Sequence, residues 1–360
     1  MSKKIVLTGI IFLIGILFFV LFYYSDVLYK KSKTTGLEST QIGSNIKKRF
    51  FLSSRKFKLI NQFNYQGVSQ DLIAFDDKLY FVNSSSNQIE SFNYSGAKMK
   101  TMGRKGEAPW ENNIIHYIEP TEFGFYVFDS GSQALKKYDN EYKLLKFKKT
   151  KGYVLDAIRL HDNLFLIPDE EKVDDYKFSL FDFEKDKEIL QQSIKPFITA
   201  IFNKFPKTRS DIIFSGYFRR NSLNQVVYVF LHFGAFILFN SDGSIDKIVR
   251  TIDGFGLPKP VDIKRSSTVT ENTIDPDIIV NYSSCVNKNN LFVLSNVYMK
   301  SENDNRVIDV YRISDGIYLH TLILPNQDDG QKCIAIACNN AGIITCLGEN
   351  MVVKNYVYND

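Results

Sequence analysis

Four aspartates occupy the same position relative to the predicted strands. An apolar pair follows each of them at the start of a strand, and the four are Asp71, Asp156, Asp211 and Asp277. If these strands meet around a common axis, the carboxylates form a ring that could bind a cation such as Ca²⁺, or a basic ligand, through oxygen atoms. The alternative is that each carboxylate accepts hydrogen bonds from backbone N–H groups in the turn before its strand. The sequence leaves both explanations open.

A glycine-rich segment is the second candidate site. It comprises Gly103, Arg104, Lys105, Gly106, Glu107 and Pro109. Glycine adopts positive φ angles easily, so its two glycines suit a tight connection between repeated units. The two basic residues raise the alternative of a phosphate site, but such sites use the N-terminus of a following helix, and the sequence predicts no helix there.

Signatures of well-known enzymes are missing from the sequence. It contains no zinc-protease helix motif, no lysine loop of the kind that binds nucleotides and no nucleophile elbow. The four histidines are widely separated, with no second metal ligand at helical or hairpin spacing, and they are His116, His161, His232 and His320. The sequence therefore identifies no catalytic residue and no metal ligand set.

The four cysteines all lie in the last quarter of the chain, at Cys285, Cys333, Cys338 and Cys346. Two strands joined by a turn at 339–342 would place Cys333 and Cys346 on one face of the hairpin and Cys338 on the other, because side chains alternate along a strand. A Cys333–Cys346 disulfide is one expectation, for an oxidising compartment. Free thiols buried between repeated units are the alternative.

The elements that must position these residues repeat along the chain. Six times a short aromatic or β-branched strand is followed, after a polar turn, by another, as Leu79–Val82 is followed by Ile89–Phe92. A unit that recurs every ~40 to 50 residues is typical of a β-propeller, in which each unit is one four-stranded blade. We therefore predict an all-β, six-bladed β-propeller with blades at 71–102, 113–147, 154–190, 212–250, 278–324 and 333–358.

The sixth blade has room for only three strands. The segment Phe57–Phe63 is strand-like but has no partner nearby, so as the fourth strand of blade six it would close the ring and remove two open edges. Two insertions interrupt the period, at 184–210 and 251–277. Residues 196–202 suit a short helix or strand, whereas the prolines at 258 and 260 predict no regular structure around them.

The amino end predicts a membrane anchor. Residues 5–24 carry no charge, and about 20 apolar residues are enough to cross a bilayer as a helix. The stretch ends in bulky aromatic residues, which are typical of a membrane interface rather than of a cleavage site, so we expect an uncleaved single-pass anchor. The predicted division of the chain is a short tail at 1–4, the anchor at 5–24, a basic polar linker at 25–50 and the propeller at 51–360.

The net charge of +5 is unevenly distributed. Eleven of the 45 Lys and Arg residues, but only two of the 40 acidic residues, precede residue 59, so the predicted propeller is net acidic. Basic residues such as Lys47, Lys48 and Arg49 could contact anionic headgroups or belong to a solvated linker. A net acidic body argues against a nucleic-acid partner. Lysines flank the anchor almost equally, but a short tail before a large domain favours a propeller on the periplasmic side of the cytoplasmic membrane.

The segments Phe92–Gly96 and Met102–Pro109 resemble the blade ending of NHL-type propellers. They look most like the exported six-bladed, TolB-like propellers of Bacteroidetes, in which a Gly-x-x-Gly-x-Gly-Pro-Gly-Glu-Phe loop follows a blade. Glu111 matches the Glu of that loop, whereas Ala108 and Trp110 replace glycines. The resemblance implies a six-bladed fold and export more than an activity, since such families largely lack assigned chemistry.

Two function classes remain. The first, which the sequence favours, is a membrane-tethered module that binds or assembles a peptide, glycan or protein partner through the loops and the axial mouth. The second is a metal-assisted hydrolase or lyase of the lactonase or NHL type, with the acid ring as its cation site. Sugar-lactonase-like propellers hold their metal with a Glu, Asn and Asp set, which the sequence does not clearly supply. Calcium is the one cofactor that the acid ring would take.

Overall fold

The computed structural model describes residues 49–52, 57–69, 71–150, 156–169, 175–206, 210–258, 260–264, 270–274, 278–299, 305–324 and 332–358. These residues belong to one compact unit that spans positions 48–360. The predicted anchor at 5–24 and most of the predicted linker lie outside the described residues. Within the described part of the chain, no helix has the length and apolar character needed to cross a membrane.

Antiparallel four-stranded sheets follow one another along the chain, as the repeat predicted. Two strands come before them, β1 (Phe51–Leu52) and β2 (Phe57–Asn64). Blade one contains β3 (Leu72–Phe75), β4 (Lys78–Asn83), β5 (Gln88–Asn93) and β6 (Lys98–Met102). Blade two contains β7 (Ile115–Thr121), β8 (Gly124–Asp129), β9 (Ala134–Tyr138) and β10 (Leu144–Lys149). Blade three contains β11 (Ile158–His161), β12 (Leu164–Asp169), β13 (Lys177–Asp182) and β14 (Lys187–Ser193).

The second half of the ring follows the same plan. Two helices come first, α1 (Lys195–Phe202) and α2 (Ser210–Ile213). Blade four contains β15 (Gly216–Arg220), β16 (Val226–Phe230), β17 (Ala235–Phe239) and β18 (Ile245–Arg250). A separate hairpin contains β19 (Pro260–Lys264) and β20 (Thr270–Ile274). Blade five contains β21 (Asn281–Val286), β22 (Asn290–Met299), β23 (Asn305–Arg312) and β24 (Tyr318–Ile323), and blade six contains β25 (Cys333–Cys338), β26 (Ile343–Gly348) and β27 (Val352–Tyr358).

Apolar packing between neighbouring blades forms the core. The central strands β16 and β17 are buried at every position, because the middle of a blade contacts a neighbour on both of its faces. Aromatic rings fill the space between blades three and four, where the Phe178 ring lies edge-on to Tyr228 at 4.9 Å and to Phe218 at 5.7 Å between centroids. Such edge-to-face pairs each contribute about 0.5–1.5 kcal/mol beyond the burial of their area. The aromatic repeats of the sequence are therefore interface residues.

The ring closes as predicted. Strand β2 pairs antiparallel with β27, from Phe57 opposite Tyr358 to Asn64 opposite Val352. It is the outermost strand of a sheet ordered β2-β27-β26-β25, so blade six takes its fourth strand from the beginning of the chain. This pairing satisfies backbone groups that would otherwise form an open edge on β27.

The residues just before β2 are also attached to the ring. Strand β1 adds a fifth, parallel strand to blade five beside β24. Next to it, the Arg49 guanidinium bonds to Asp309 at 2.8 and 3.0 Å and to Asp253, and at most 1% of each side chain is exposed. We call these three residues the Arg49 clamp. The suggestion that Arg49 contacts lipid headgroups is wrong, because two buried carboxylates bind it inside the protein.

The insertions are more regular than predicted. Helix α1 has Pro196 in its first turn, where the missing N–H costs nothing, and ends at Asn203, whose left-handed backbone (φ 56°) allows its N–H to bond the Thr199 carbonyl. The expectation of no regular structure around the prolines at 258 and 260 is wrong, since β19 begins at Pro260 and pairs with β20. A proline is tolerated at the first residue of a strand, where its missing donor need not enter the ladder.

The structure shows which cysteines are bonded and which are free, and it corrects the predicted position of Cys338. Cys333 and Cys346 form a disulfide, whereas Cys285 and Cys338 are buried free thiols. The predicted separation of Cys338 from the bonded pair is wrong. A bulge after Cys333 shifts the register of β25 and β26, so Cys338 shares a face with Cys346 and all four cysteines contact one apolar cluster.

Candidate functional site

The innermost strands of the six blades surround the axis of the ring. Neighbours contact one another in the order β3, β7, β11, β15, β21 and β25, and β25 contacts β3. Blades one and four therefore lie opposite each other. All six strands begin on the face that carries the connections between blades, which we call the crossover face.

An ion pair crosses this axis. The Arg219 guanidinium on β15 of blade four donates from Nη2 to both carboxylate oxygens of Asp71, which immediately precedes β3 of blade one, at 3.1 Å each. Some 37% of the Asp71 side chain and 15% of the Arg219 side chain are exposed, so solvent reaches both. We call this the axial ion pair.

The surrounding groups hold Arg219 in place. Its Nε donates to the Ser284 carbonyl of blade five at 2.5 Å, and its Nη1 donates to the carbonyl of Phe218 at 2.9 Å. The guanidinium also lies 5.3 Å from the centroid of the Tyr217 ring, within the range of a cation–π contact. The side chain is thus oriented by two blades before it meets Asp71.

Asp156 lies beside the axial ion pair and joins blades three and four. Its Oδ1 accepts the N–H of Ala157 at 2.8 Å and its Oδ2 accepts the N–H of Phe218 at 3.0 Å. Burial raises the pKa of Asp156 to about 7, although both hydrogen bonds and the Arg219 charge oppose the rise. The carboxyl therefore changes protonation state near neutral pH.

Asp71 repeats one of these bonds, because its Oδ1 accepts the N–H of Leu72 at 2.9 Å. This is the local bond that the structural explanation of the aspartates predicted. The other two predicted members of the ring differ. Asp211 lies in α2 and not at the start of β15, because the buried pair Ile213 and Phe214 packs as a helical turn on the apolar cluster beside α1. Asp277 lies outside the described residues.

His116 adds a titratable group on β7 of blade two. Its side chain is exposed. The protein around it disfavours the charged imidazolium and so lowers the His116 pKa, and the Asp71 charge only partly offsets this effect. In the described part of the chain, no group of three or more His, Cys, Asp or Glu side chains is suited to hold a metal ion.

A second charged network lies near the ends of the innermost strands. Glu119 of blade two binds Arg159 of blade three at 2.7 Å, binds Arg220 of blade four, and accepts a hydrogen bond from the Tyr117 hydroxyl at 2.9 Å. Neither this network nor Arg219 was predicted from the sequence. Two consecutive arginines in an innermost strand were the available signal, since alternation places their side chains on opposite faces of the blade, both close to the axis.

The glycine-rich loop is a braced connection between blades one and two. Gly103 has a φ of 78°, and a Cβ there would lie 2.7 Å from the Asn112 amide nitrogen, which explains the glycine. Arg104 pairs with Glu111 at 2.7 Å, and the Gly106 N–H donates to the Asn112 carbonyl at 3.0 Å. The backbone beside Lys105 forms a bridge to Asn112. Glu107 and Pro109 are exposed.

A buried ion pair anchors that loop to blade two. The Lys136 ammonium binds Asp129 at 2.7 Å and donates to the Glu111 carbonyl, with neither side chain of the pair exposed. Burial alone would raise the pKa of Asp129, but hydrogen bonds from Lys136 and from the N–H groups of Asn113 and Ile114 outweigh it and lower the pKa. These contacts fix the loop and explain its sequence without a bound phosphate.

Comparison with known proteins supports the fold. No protein-family model and no curated protein sequence matches the chain. A member of the DUF4221 family from Bacteroides vulgatus matches with a TM-score of 0.52 and 12% identity, over 85% of this chain and 99% of that one. Virginiamycin B lyase from Staphylococcus aureus matches with a TM-score of 0.50 and 11% identity, over 84% and 99%.

A third similar structure is the WD40 domain of Neurospora crassa Pan2. It matches with a TM-score of 0.50 and 7% identity, over 86% of this chain and 98% of that one. Similarity at these identities shows the fold alone. The chain is a six-bladed β-propeller, and the resemblance drawn from its blade endings is confirmed at the level of fold.

Proposed function

We propose that the chain is a membrane-tethered binding module that holds a peptide, protein or glycan partner at the axial mouth of the crossover face. One observation carries the proposal: Asp71 and Arg219, from opposite blades, form an ion pair that solvent reaches at the centre of the ring. Neighbouring blades are already joined by apolar packing, so a pair that spans the axis is not needed to hold them together.

The chemistry of the axial ion pair suits a polar ligand. A partly exposed ion pair contributes about 0–1 kcal/mol, so exchanging it for contacts with a ligand costs little. Arg219 can then donate hydrogen bonds from Nη2 to a carboxylate of the ligand, and Asp71 can accept hydrogen bonds from an amine, amide or hydroxyl group. Peptides and glycans carry such groups in abundance.

The tether and the location are part of the same proposal. Residues 5–24 would anchor the chain in the cytoplasmic membrane, with the propeller on the periplasmic side. The Cys333–Cys346 disulfide supports this placement, since disulfides form and persist in oxidising compartments. A partner would then be a component of the cell envelope.

Photo-crosslinking in intact membranes tests the proposal at two positions of similar exposure, one at the proposed site and one away from it. Val68 lies in the connection between blades six and one on the crossover face and is 48% exposed. Ile189 lies on the outermost strand of blade three and is 51% exposed. A photoreactive residue placed at position 68 of the full-length protein should yield a specific adduct, and one at position 189 should not.

Two substitutions connect the adduct to the axial ion pair. Asp71→Asn and Arg219→Gln should each reduce the adduct about tenfold or more, because a charge-assisted contact is worth about 1.5–3 kcal/mol. Melting curves of both variants check that the fold is kept. Protease-sensitive adducts identify a protein or peptide and glycosidase-sensitive ones a glycan. Equal adducts at both positions, or adducts that ignore both substitutions, would reject the axial site.

A further inference from the structure

All four cysteines of the chain contact one apolar cluster between blades five and six. Cys285 comes from β21 of blade five, whereas Cys333, Cys338 and Cys346 come from β25 and β26 of blade six. The Cys333–Cys346 disulfide lies entirely within blade six. The two remaining thiols, one from each blade, are buried.

The register of the two innermost strands brings these thiols together. Strands β21 and β25 are neighbours in the ring. Both begin on the crossover face, so they run in the same direction. The Ile336 N–H donates to the Ser283 hydroxyl at 3.2 Å, which places these two residues side by side. Two residues further along each strand, on the same faces, come Cys338 and Cys285.

The electrostatics agree with this placement. Burial is the main reason why the pKa of Cys285 lies well above its usual range, and the neighbouring Cys338 thiol adds to the rise. A buried neutral thiol is a poor nucleophile, so exchange requires transient opening of the interface. The cluster offers no other partner to these two thiols while Cys333 and Cys346 are bonded.

We propose that Cys285 and Cys338 form a second disulfide, which links the innermost strands of blades five and six. The oxidant is an external disulfide, either oxidised glutathione or that of an exported oxidoreductase. One thiolate attacks it to give a mixed disulfide and one leaving thiol. The second thiolate then attacks the protein sulfur of that mixed disulfide and releases the second thiol. In total the two cysteines lose two protons and two electrons, and the external disulfide gains them.

The test uses full-length protein in detergent with Cys333 and Cys346 both replaced by serine. Incubation with oxidised glutathione, with and without subdenaturing urea to promote opening, is followed by denaturation and alkylation. We expect the two alkylatable thiols to disappear, and peptide mapping to find Cys285 linked to Cys338. The melting temperature should rise by several degrees and fall again on adding reductant.

A matched control and a second measurement make the result decisive. Adding Cys285→Ser leaves Cys338 alone, which can only form a mixed disulfide with glutathione and should show no such rise in melting temperature. Peptide mapping of the wild-type protein, which keeps all its cysteines, covers the case in which the double serine variant does not fold. The proposal is overturned if both thiols stay alkylatable under every condition, or if each carries glutathione without a link between them.

Discussion

The Arg49 clamp provides the sharpest test of how the amino end is attached. Arg49→Met removes the guanidinium but keeps an unbranched side chain of similar length. Asp253 and Asp309 would then remain buried without their cation, and Asp309 would lose two hydrogen bonds of 2.8 and 3.0 Å. Removing one partner of a buried ion pair costs about 3–5 kcal/mol, because the charge left behind stays desolvated.

The defect should depend on pH with a defined sign. Burial already raises the pKa of Asp253 to about 6, with the Asp309 charge adding to the rise and Arg49 opposing it. The folded protein therefore takes up a proton at Asp253 as the pH falls through 6, whereas the unfolded chain does so only near 4. This contribution to stability grows on acidification and is lost as the pH rises through the folded pKa. Without Arg49 that pKa rises further, so the defect should shrink at acidic pH.

Urea unfolding of the full-length protein in detergent, at pH 8 and pH 5, measures the effect. For a propeller of this size, a loss of 3–5 kcal/mol shifts the midpoint by roughly 1 M or more. Arg104→Met is the matched control, since its ion pair with Glu111 leaves 66% of the arginine side chain exposed and should be worth at most about 1 kcal/mol. Equal shifts for the two variants, or a defect that grows on acidification, would refute the clamp.

Three further predictions concern closure, titration and location. Removing residues 1–48 should leave a cooperatively folding protein, whereas removing 1–64 deletes the β2 ladder and the clamp and should cause aggregation or a far lower melting temperature; equal melting would mean that the ring closes otherwise. Asp156 has a folded pKa of about 7, above its unfolded value, so its stabilisation is lost as the pH rises from about 4 to 7. The unfolding free energy of wild type minus that of Asp156→Asn should fall by about 1.4 kcal/mol per pH unit between pH 5 and 7 and then level off, and a constant difference would contradict the titration. Protease added to spheroplasts should digest the propeller, and protection until detergent is added would place it in the cytoplasm.

The blades and their closure were predictable because their signals are local. Alternating strands and polar turns recur at short range, and the missing strand of blade six followed from counting. The same local rules failed at two places. The bulge after Cys333 reversed the face assigned to Cys338, and a helical turn replaced the expected strand at Asp211. Alternation cannot reveal an inserted residue.

The candidate site was only half predictable. The position of Asp71 just before its strand predicted that it lies near the axis. Its partner Arg219 lies 148 residues further along the chain, and only the closed ring brings the two together. The position of Arg49 was even harder to predict. Its basic neighbours suggested a membrane surface, whereas its carboxylate partners are 204 and 260 residues away. Long-range charge pairing leaves no periodic pattern in a sequence.

The origin of the closing strand sets the order in which the protein can be assembled. Strand β2 is made before any blade, but its partner β27 is the last strand, and Phe57 meets Tyr358 only after about 300 further residues have been synthesised. At a synthesis rate of ~5–20 residues per second, β2 waits roughly 15 to 60 s before its backbone N–H and C=O groups can pair with β27. The wait ends only when the whole propeller has been synthesised. A nascent chain released early keeps an unpaired strand at its amino end, so an incomplete product exposes an edge that quality-control proteases and chaperones can recognise.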